Sequence, residues 1–522
     1  LAEAAPPLVP GLLIQHSRER PTESTTSVLF SFDALGRPVE KRSTIQGALH
    51  LEQTIYDALG RVLKQSLSFD FTSGGVPRTY LAREEHAYNA RGFLARVCAA
   101  PDASAVPSGC PGGIANAPVY WQALSHNARG QLSGERRHGS LNMDSTRFYD
   151  PATGRIDTQV SGSGLLQNWN LDFDLAGNLL QRTDLRQGYS ERARYDALDR
   201  LLEVRLTRPA QTELVTLTLA YDRLGNVCSR NGSAYGYAGA HGCASPPGVL
   251  SGRPHAVTTA FGQSYFYDAS GNQTRVNASD GSALRVVDYD ADQQAERFTL
   301  GPNLLSPSTT SQFRYAADGG RVLREDVEAG VLTRTRYLGA TERIERLDTL
   351  TVRRMLPGGL ILTDRWQGSA AGVREYRYTL SDHLGSPEVI VNEVGAVLER
   401  LSFDALGQRR NSADWLALLT SYTDQYTKRG YTGHEHIDAF GLVHMNGRIF
   451  DPRLGRFLQA DPLLEDDLTQ GLNRYSYVLN NPLTLTDPSG YLSGKQWLRV
   501  IASIAISVYL PGIVNGLMGL EK

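Results

Sequence analysis

Residues Phe32–Arg37 read Phe-Asp-Ala-Leu-Gly-Arg, and residues Tyr56–Arg61 repeat this pattern with tyrosine in the first position. The shared signature is an aromatic residue, Asp, any two residues, Gly, and then a polar residue that is mostly Arg or Asn. Further clear copies, one of them with a single insertion, begin at Tyr149, Phe173, Tyr221, Tyr267 and Phe403, and degenerate copies begin at Tyr88, His126, Tyr195, Tyr289 and Tyr315. Successive copies are commonly 22 to 26 residues apart, so an internal repeat organises most of the chain.

The spacing inside each copy predicts a β-hairpin. Asp is favoured at the first position of a type I turn and Gly at the fourth. A type I turn followed by a left-handed residue closes a hairpin with a bulge, and only Gly takes that conformation without steric cost. The aromatic residue then ends the incoming strand and the polar residue begins the outgoing one. We therefore expect an all-β chain of antiparallel hairpins. A β-propeller or a sandwich is the competing all-β interpretation, although Trp-Asp blade signatures are missing.

The composition excludes some partners and raises one question about arginine. The chain of 522 residues has a net charge of −2, so no basic surface indicates nucleic acid binding. Only five of its 53 basic residues are lysines, and it has 24 tyrosines against 15 phenylalanines. Codon usage is one explanation of the arginine excess. The other is that guanidinium groups stack on tyrosine rings and pair bidentately with carboxylates.

The four cysteines fall into two local pairs that bracket loops rich in Gly, Pro, Ser and Ala. The pairs are Cys98 with Cys110 and Cys228 with Cys243. The spacing of a zinc site is absent, so two loop-closing disulfides and four unpaired thiols are the alternatives. The first residue is Leu1, from which we expect a fragment or a processed chain with further sequence before it.

The repeats resemble the YD repeats of Rhs proteins, of the C components of Tc toxins and of teneurins. A later stretch resembles the Rhs-associated core through motifs at Tyr378–Pro387, Gly430–Glu435, Asn446–Pro452, Gly455–Leu458, Leu472–Tyr477 and Asp487–Gly490. The resemblance implies a spiral of hairpins that forms a hollow shell over residues 1–377. It also implies an end plug over residues 378–490 and the start of a variable cargo or toxin region over residues 491–522.

The resemblance further implies that in many proteins of this kind the core acts as an aspartyl autoprotease. Such chemistry uses two carboxylates that share a proton, with a nearby arginine. Arg448 and Asp461 match the family pattern, but Ile449 stands where self-cleaving members usually carry Asp. Asp451 is the candidate substitute, and the alternative role of Arg448 and Asp461 is a structural ion pair. The expected cleavage site follows the Asp487–Gly490 motif, at Gly490, Tyr491 and Leu492. Self-cleaving members typically carry Leu directly after this motif, whereas here Tyr491 comes first, so we expect the cut near Tyr491–Leu492 or Leu492–Ser493.

Other constellations carry weaker predictions. Three nearby histidines, His434, His436 and His444, could together bind zinc. The family motif explains this stretch without a metal, so no metal or cofactor is predicted. Residues 500–520 contain no charged side chain and have about the length of a membrane span. They could be membrane-contacting cargo, a segment packed against the shell, or the opening of a longer toxin domain.

The leading functional hypothesis is an encapsulating shell of a bacterial Rhs-type toxin that delivers a C-terminal cargo. The alternatives are a self-cleaving aspartyl autoprotease and a cell-surface adhesion or carbohydrate-binding protein. The resemblance implies as partners the chain's own C-terminal segment and a secretion apparatus or Tc B component, with no nucleic acid. It also implies a secreted or cell-surface location.

Overall fold

The computed structural model describes residues 15–20, 23–100, 118–237, 243, 253–301, 308–423, 425–463 and 470–491. Within these ranges the chain forms 36 β-strands and five single-turn 3₁₀ helices. No helix of the described part is long and apolar enough to cross a bilayer. The apolar residues 500–520 lie outside the described ranges.

The strands carry the following bounds: β1 Gln15–Arg20, β2 Glu23–Phe32, β3 Pro38–Ile45, β4 Ala48–Tyr56, β5 Val62–Ser73, β6 Val76–Tyr88, β7 Leu94–Ala99, β8 Val119–His126, β9 Leu132–Arg137, β10 Ser140–Tyr149, β11 Ile156–Ser161, β12 Gln167–Phe173, β13 Leu179–Asp184, β14 Tyr189–Tyr195, β15 Leu201–Thr207, β16 Leu214–Tyr221, β17 Val227–Arg230, β18 Ser233–Tyr237, β19 Val257–Ala260, β20 Gln263–Tyr267, β21 Gln273–Asn277, β22 Ala283–Tyr289, β23 Ala295–Leu300, β24 Thr309–Tyr315, β25 Arg321–Glu328, β26 Val331–Leu338, β27 Thr341–Arg346, β28 Thr349–Leu356, β29 Leu360–Gln367, β30 Val373–Ser381, β31 Pro387–Asn392, β32 Val397–Arg400, β33 Glu435–Ile437, β34 Leu442–Met445, β35 Arg448–Asp451 and β36 Arg456–Phe457. The 3₁₀ helices are Gly162–Gly164, Pro357–Gly359, Tyr431–Gly433, Asp438–Phe440 and Val478–Asn480.

The first 32 strands form one sheet, here called the wall, in which each strand pairs antiparallel with the next strand of the chain. Its two end strands, β1 and β32, do not pair with each other in the described part of the chain. Strands β33–β36 form a second, small antiparallel sheet. The predicted all-β fold of consecutive hairpins is confirmed.

Each predicted repeat folds as the turn that its spacing indicates, and the copy at Asp57 shows how. The amide of Gly60 donates to the carbonyl oxygen of Asp57 at 3.0 Å, and Gly60 has φ +79°. One carboxylate oxygen of Asp57 accepts from the amides of Leu59 and Arg61, each at 2.9 Å. The other oxygen accepts from Nε and Nη2 of Arg61 at 2.7 and 2.6 Å. The register shifts at Tyr56, as a bulge requires.

The arginine that ends one repeat also contacts the tyrosine of the next repeat. The guanidinium of Arg61 lies 4.3 Å from the ring centre of Tyr88, and the hydroxyl of Tyr88 donates to the carbonyl oxygen of Val62 at 2.8 Å. The same pair of contacts joins Arg37 with Tyr56 and Arg200 with Tyr221. Stacking on tyrosine and bidentate pairing with Asp therefore account for arginine at these positions, where lysine could do neither.

The wall folds back so that early strands face late strands. Side chains of β3, β5 and β6 pack in one apolar cluster with side chains of β25, β26 and β28. Polar contacts cross the same two layers: the hydroxyl of Tyr80 donates to Asp364 at 3.1 Å, and Arg354 pairs with Glu84. A second cluster joins β7–β10 to β28–β31 in the same way. In this span the inner face of the wall is covered by the wall itself.

Further along the wall, the inner face is covered by residues 401–491, here called the plug. Three ion pairs join the two parts: the buried pairs Glu435 with Arg324 at 2.6 Å and Asp451 with Arg285 at 3.1 Å, and the partly buried pair Asp404 with Arg230 at 2.8 Å. The wall sheet runs through the predicted boundary at residue 378 and ends with β32, so that boundary stays a prediction.

One of the two predicted disulfides lies wholly within the described residues. Cys228 and Cys243 are bonded, with their Cα atoms 5.2 Å apart. Cys98 is disulfide-bonded as well, while its predicted partner Cys110 lies outside the described ranges. The pairing of Cys228 with Cys243 is therefore confirmed.

Candidate functional site at the end of the plug

Strand β35 places its side chains alternately on two sides of the small sheet. Phe450 joins the apolar cluster that also contains Phe457, and the guanidinium of Arg448 stacks on the Phe457 ring at 3.7 Å. Ile449 joins a different cluster, with residues of the wall such as Phe298. Because successive residues of a strand face opposite ways, Arg448 and Ile449 occupy different environments.

Arg448 is buried at the centre of a compact polar site. Its Nη2 atom lies 2.8 Å from a carboxylate oxygen of Asp461 and 3.5 Å from one of Asp487. Its Nε atom donates to the carbonyl oxygen of Gly490 at 2.5 Å. Its Nη1 atom donates to the carbonyl oxygen of Arg474 at 3.1 Å. One guanidinium therefore contacts two carboxylates and two peptide carbonyls.

The electrostatics of this site disfavour the ionised form of Asp461. Burial raises the pKa of Asp461, and the negative charge of Asp487 acts in the same direction, while Arg448 opposes both. Burial also lowers the pKa of Arg448. Both carboxylates thus lie against one buried cation, and an aspartyl mechanism needs two neighbouring carboxyl groups, one as base and the other as acid.

The segment from Pro488 to Gly490 is held by three consecutive residues of the plug. The carbonyl oxygen of Pro488 accepts from Nδ2 of Asn446 at 2.8 Å, and that of Ser489 accepts from the amide of Gly447 at 2.9 Å. The carbonyl oxygen of Gly490 accepts from Arg448, as described above. We call Asn446, Gly447 and Arg448 the carbonyl clamp.

Gly490 fits this clamp because it has no side chain. Its φ is +74°, and a Cβ atom there would overlap the carbonyl oxygen of Met445 and crowd the amide nitrogens of Gly447 and Arg448. The amide of Gly490 donates to Asp487 at 2.9 Å. The Asp-Pro-x-Gly motif thus bends back on itself and presents its last carbonyl to Arg448.

The structure brings some of the predicted site residues together and separates others. Asp461 and Gly490 meet at Arg448. Asp451 does not, because its side chain pairs with Arg285 and accepts from the amides of Arg453 and Leu454. Leu492 lies outside the described ranges.

Sequence reasoning missed Asp487 as a member of the site. Its Asp-Pro-x-Gly context also predicts a turn, and Asp487 does accept the Gly490 amide in that turn. Asp487 is distinguished as a site residue by the approach of its second oxygen to Arg448. This contact joins residues 39 positions apart in sequence, so it arises only in the folded chain.

The three histidines are each engaged in contacts within the protein. His434 lies 2.8 Å from Oγ1 of Thr432, and His436 accepts from the amide of Tyr431 at 3.0 Å. His444 lies 2.9 Å from the hydroxyl of Tyr315. In the described ranges the one group with the proximity of a metal site is Asp222, Cys228 and Cys243, whose two sulfurs form the disulfide.

A second buried polar site lies where the wall meets the start of the plug. One carboxylate oxygen of Glu388 accepts from Nε2 of Gln167 at 2.6 Å and from Nε1 of Trp169 at 2.7 Å. Burial raises its pKa to about 7, and the negative charges of Asp184 and Asp382 act in the same direction. A cavity of about 40 Å³ adjoins it.

Comparison with known proteins agrees with this architecture. The family model of the teneurin YD-shell matches residues 371–483, which span the last strands of the wall and most of the plug. This part of the chain is therefore similar to the teneurin YD-shell.

Its relatives include proteins that are named as toxins or toxin subunits. Toxin subunit YenC2 of Yersinia entomophaga is 24% identical over 449 residues, which is 73% of this chain and 43% of the relative. Double-stranded DNA deaminase toxin A of Burkholderia cenocepacia is 25% identical over 378 residues, covering 67% of this chain and 24% of the relative. The chain thus spans less than half the length of these relatives.

Solved structures share the fold of this chain. The crystal structure of TcdB2-TccC3-Cdc42 superposes with a TM-score of 0.66 and 18% sequence identity, over 93% of this chain and 24% of that one. At this identity the likeness supports the YD-shell fold, and the shell function is argued below.

Proposed function

We propose that this chain is part of a toxin-encapsulating shell, in which the wall and the plug enclose a C-terminal segment that begins at Tyr491. The relatives support this proposal, because they include toxin subunits and toxins of which this chain matches a minor part. The described span would be the closed end of that shell. A partner chain, as in the TcdB2-TccC3 structure, would complete it, and the assembled toxin would be secreted or delivered.

The observation that carries the proposal is the way in which the plug is fixed to the wall. Glu435 of the plug is buried between Arg321 and Arg324 of the wall, at 2.8 and 2.6 Å, and accepts from the Tyr337 hydroxyl at 2.7 Å. The two arginines hold the pKa of Glu435 well below its usual range, against the effect of burial. Removing one partner of such a buried pair costs about 3–5 kcal/mol.

The test is the accessibility of an epitope tag placed after Lys522. We expect an antibody to capture the tag after denaturation but not in the native protein. Glu435→Gln should expose the tag, whereas Glu213→Gln, which removes the charge of a partly exposed wall carboxylate, should not. Full capture of the native wild-type protein would refute enclosure.

We propose as a second function that the plug cleaves its own chain between Gly490 and Tyr491. A water molecule would attack the carbonyl carbon of Gly490 while one carboxylate of the pair Asp461 and Asp487 accepts its proton. Arg448 would stabilise the developing negative charge on the carbonyl oxygen. The other carboxylate would donate its proton to the nitrogen of Tyr491 as the carbon–nitrogen bond breaks.

Self-cleavage is favoured by the coincidence of both carboxylates and the Gly490 carbonyl at one guanidinium. Its test is the intact mass of denatured wild-type protein beside Asp461→Asn, Asp487→Asn and Asp451→Asn variants. We expect wild type and Asp451→Asn to lose residues 491–522 and the other two to stay whole. A full-length wild-type mass would refute cleavage and leave a passive shell.

A further inference from the structure

The ring of Tyr491 occupies a site that the plug leaves open by carrying glycine at position 447. A Cβ atom on Gly447 would overlap the Tyr491 ring, at its Cε2, Cζ and Cδ2 atoms. The Tyr491 hydroxyl donates to the carbonyl oxygen of the same Gly447 at 2.7 Å. A single residue therefore provides both the space for the ring and the acceptor for its hydroxyl.

Two further contacts fix the backbone that leads to this ring. The amide of Tyr491 donates to Oγ of Ser489 at 3.0 Å, and the amide of Gly447 donates to the carbonyl oxygen of Ser489 at 2.9 Å. The ring and the carbonyl clamp thus share Gly447, whose amide holds the chain before the Gly490–Tyr491 bond and whose carbonyl holds the side chain after it.

Leucine at position 491 would not reproduce this arrangement. It lacks the hydroxyl that reaches the Gly447 carbonyl, and its branched side chain does not lie flat against a glycine as an aromatic ring does. Partial burial of the ring, which raises the pKa of the Tyr491 hydroxyl, agrees with a fitted site rather than a chance surface contact.

We propose that Gly447 forms a pocket that selects an aromatic side chain at position 491 and so fixes which peptide bond faces Arg448. The pocket is in this respect a specificity determinant of self-cleavage, and this part of the inference rests on the second proposed function. As an anchor for the chain that leaves the plug, it acts whether or not the bond is cut.

The anchor is tested with chymotrypsin, which must take the Tyr491 ring into its own pocket before it cuts after that residue. The test is made in the Asp461→Asn background, in which the Gly490–Tyr491 bond stays whole, and this protein should resist cleavage there. Gly447→Ala should be cut about tenfold faster or more, because loss of the ring's packing and hydrogen bond shifts the local opening equilibrium by about that factor.

Gly320→Ala in the same background is the matched control, since Gly320 has no positive φ and the three atoms nearest to a Cβ there belong to the Asp318 side chain. It should resist chymotrypsin as the Asp461→Asn parent does. Cleavage of this parent after Tyr491 as fast as that of its Gly447→Ala variant would overturn the pocket. A protease of broad specificity should cut the Tyr491→Phe variant at this position more slowly than the Tyr491→Ala variant. Equal cleavage rates for these two variants would also overturn the pocket.

The two proposals fail separately. Chymotrypsin releases a segment that starts at Leu492, whereas self-cleavage releases one that starts at Tyr491, and mass spectrometry separates them. Chymotrypsin resistance without self-cleavage would refute the catalytic proposal and leave the anchor. Self-cleavage at an unchanged rate in Gly447→Ala and Tyr491→Leu would overturn the specificity role alone.

Discussion

The guanidinium of Arg61 lies 4.3 Å from the ring centre of Tyr88, although the two residues belong to successive repeats. The same guanidinium holds Asp57 through two nitrogens, so one side chain closes its own turn and fastens the next. Lysine can offer a point charge but neither the bidentate geometry nor the flat stacking surface.

We therefore predict that Arg61→Lys lowers the free energy of unfolding by about 1–2 kcal/mol, from the loss of stacking and of one charge-assisted hydrogen bond. Urea denaturation provides the measurement. Arg42→Lys is the control, because Arg42 pairs with Glu40 through Nε on a more exposed surface. Equal effects of the two substitutions would contradict a special role for the stacked arginine.

Gly490→Ala should release the carbonyl clamp. The new Cβ would meet Met445 and the turn amides, so the Gly447 amide should exchange its hydrogen about tenfold faster or more, as measured by exchange mass spectrometry of residues 445–450. Gly441→Ala carries the same left-handed strain at φ +63° but meets nothing within 4 Å. If both variants exchange alike, strain rather than overlap controls the clamp.

Glu388 should make the wall–plug junction more stable in acid than at neutral pH. Its pKa rises from an ordinary 4.5 to about 7 in the folded protein, so the stabilising contribution is full below pH 4.5 and is lost as the pH rises to about 7. The difference amounts to about 3 kcal/mol. Urea denaturation from pH 4.5 to 7.5 should show the free energy of unfolding falling with pH by this amount. Wild type and the exposed control Glu393→Gln should show the same slope. An unchanged slope in Glu388→Gln would contradict the assignment.

The bond between Cys228 and Cys243 should stabilise the repeat at Asp222, because it closes a loop with a sequence separation of 15 residues. Loop-closure entropy predicts a loss of about 3 kcal/mol when both cysteines are replaced by alanine. Thermal unfolding of the double variant under oxidising conditions measures this loss. A midpoint equal to that of wild type would contradict this contribution.

The wall was predictable from sequence because its interactions are local. Asp57, Gly60 and Arg61 lie within five positions, and turn chemistry alone relates them. The fold-back of the wall was not, because Tyr80 and Asp364 meet across 284 positions that no spacing rule connects. For the candidate site, the family motif indicated Arg448 and Asp461, whereas the approach of Asp487 and the pairing of Asp451 with Arg285 depend on tertiary packing.

The fastening between repeats has a consequence for how such walls change during evolution. At Arg37, Arg61 and Arg200, one hairpin supplies the arginine that stacks on the tyrosine of the next, so a duplicated hairpin of this kind arrives with both halves of the contact. Insertion or loss of whole hairpins is therefore cheap wherever neighbours are the main contacts. It is costly only where the sheet meets itself, as at Tyr80 and Asp364, since there one inserted unit would shift every facing pair.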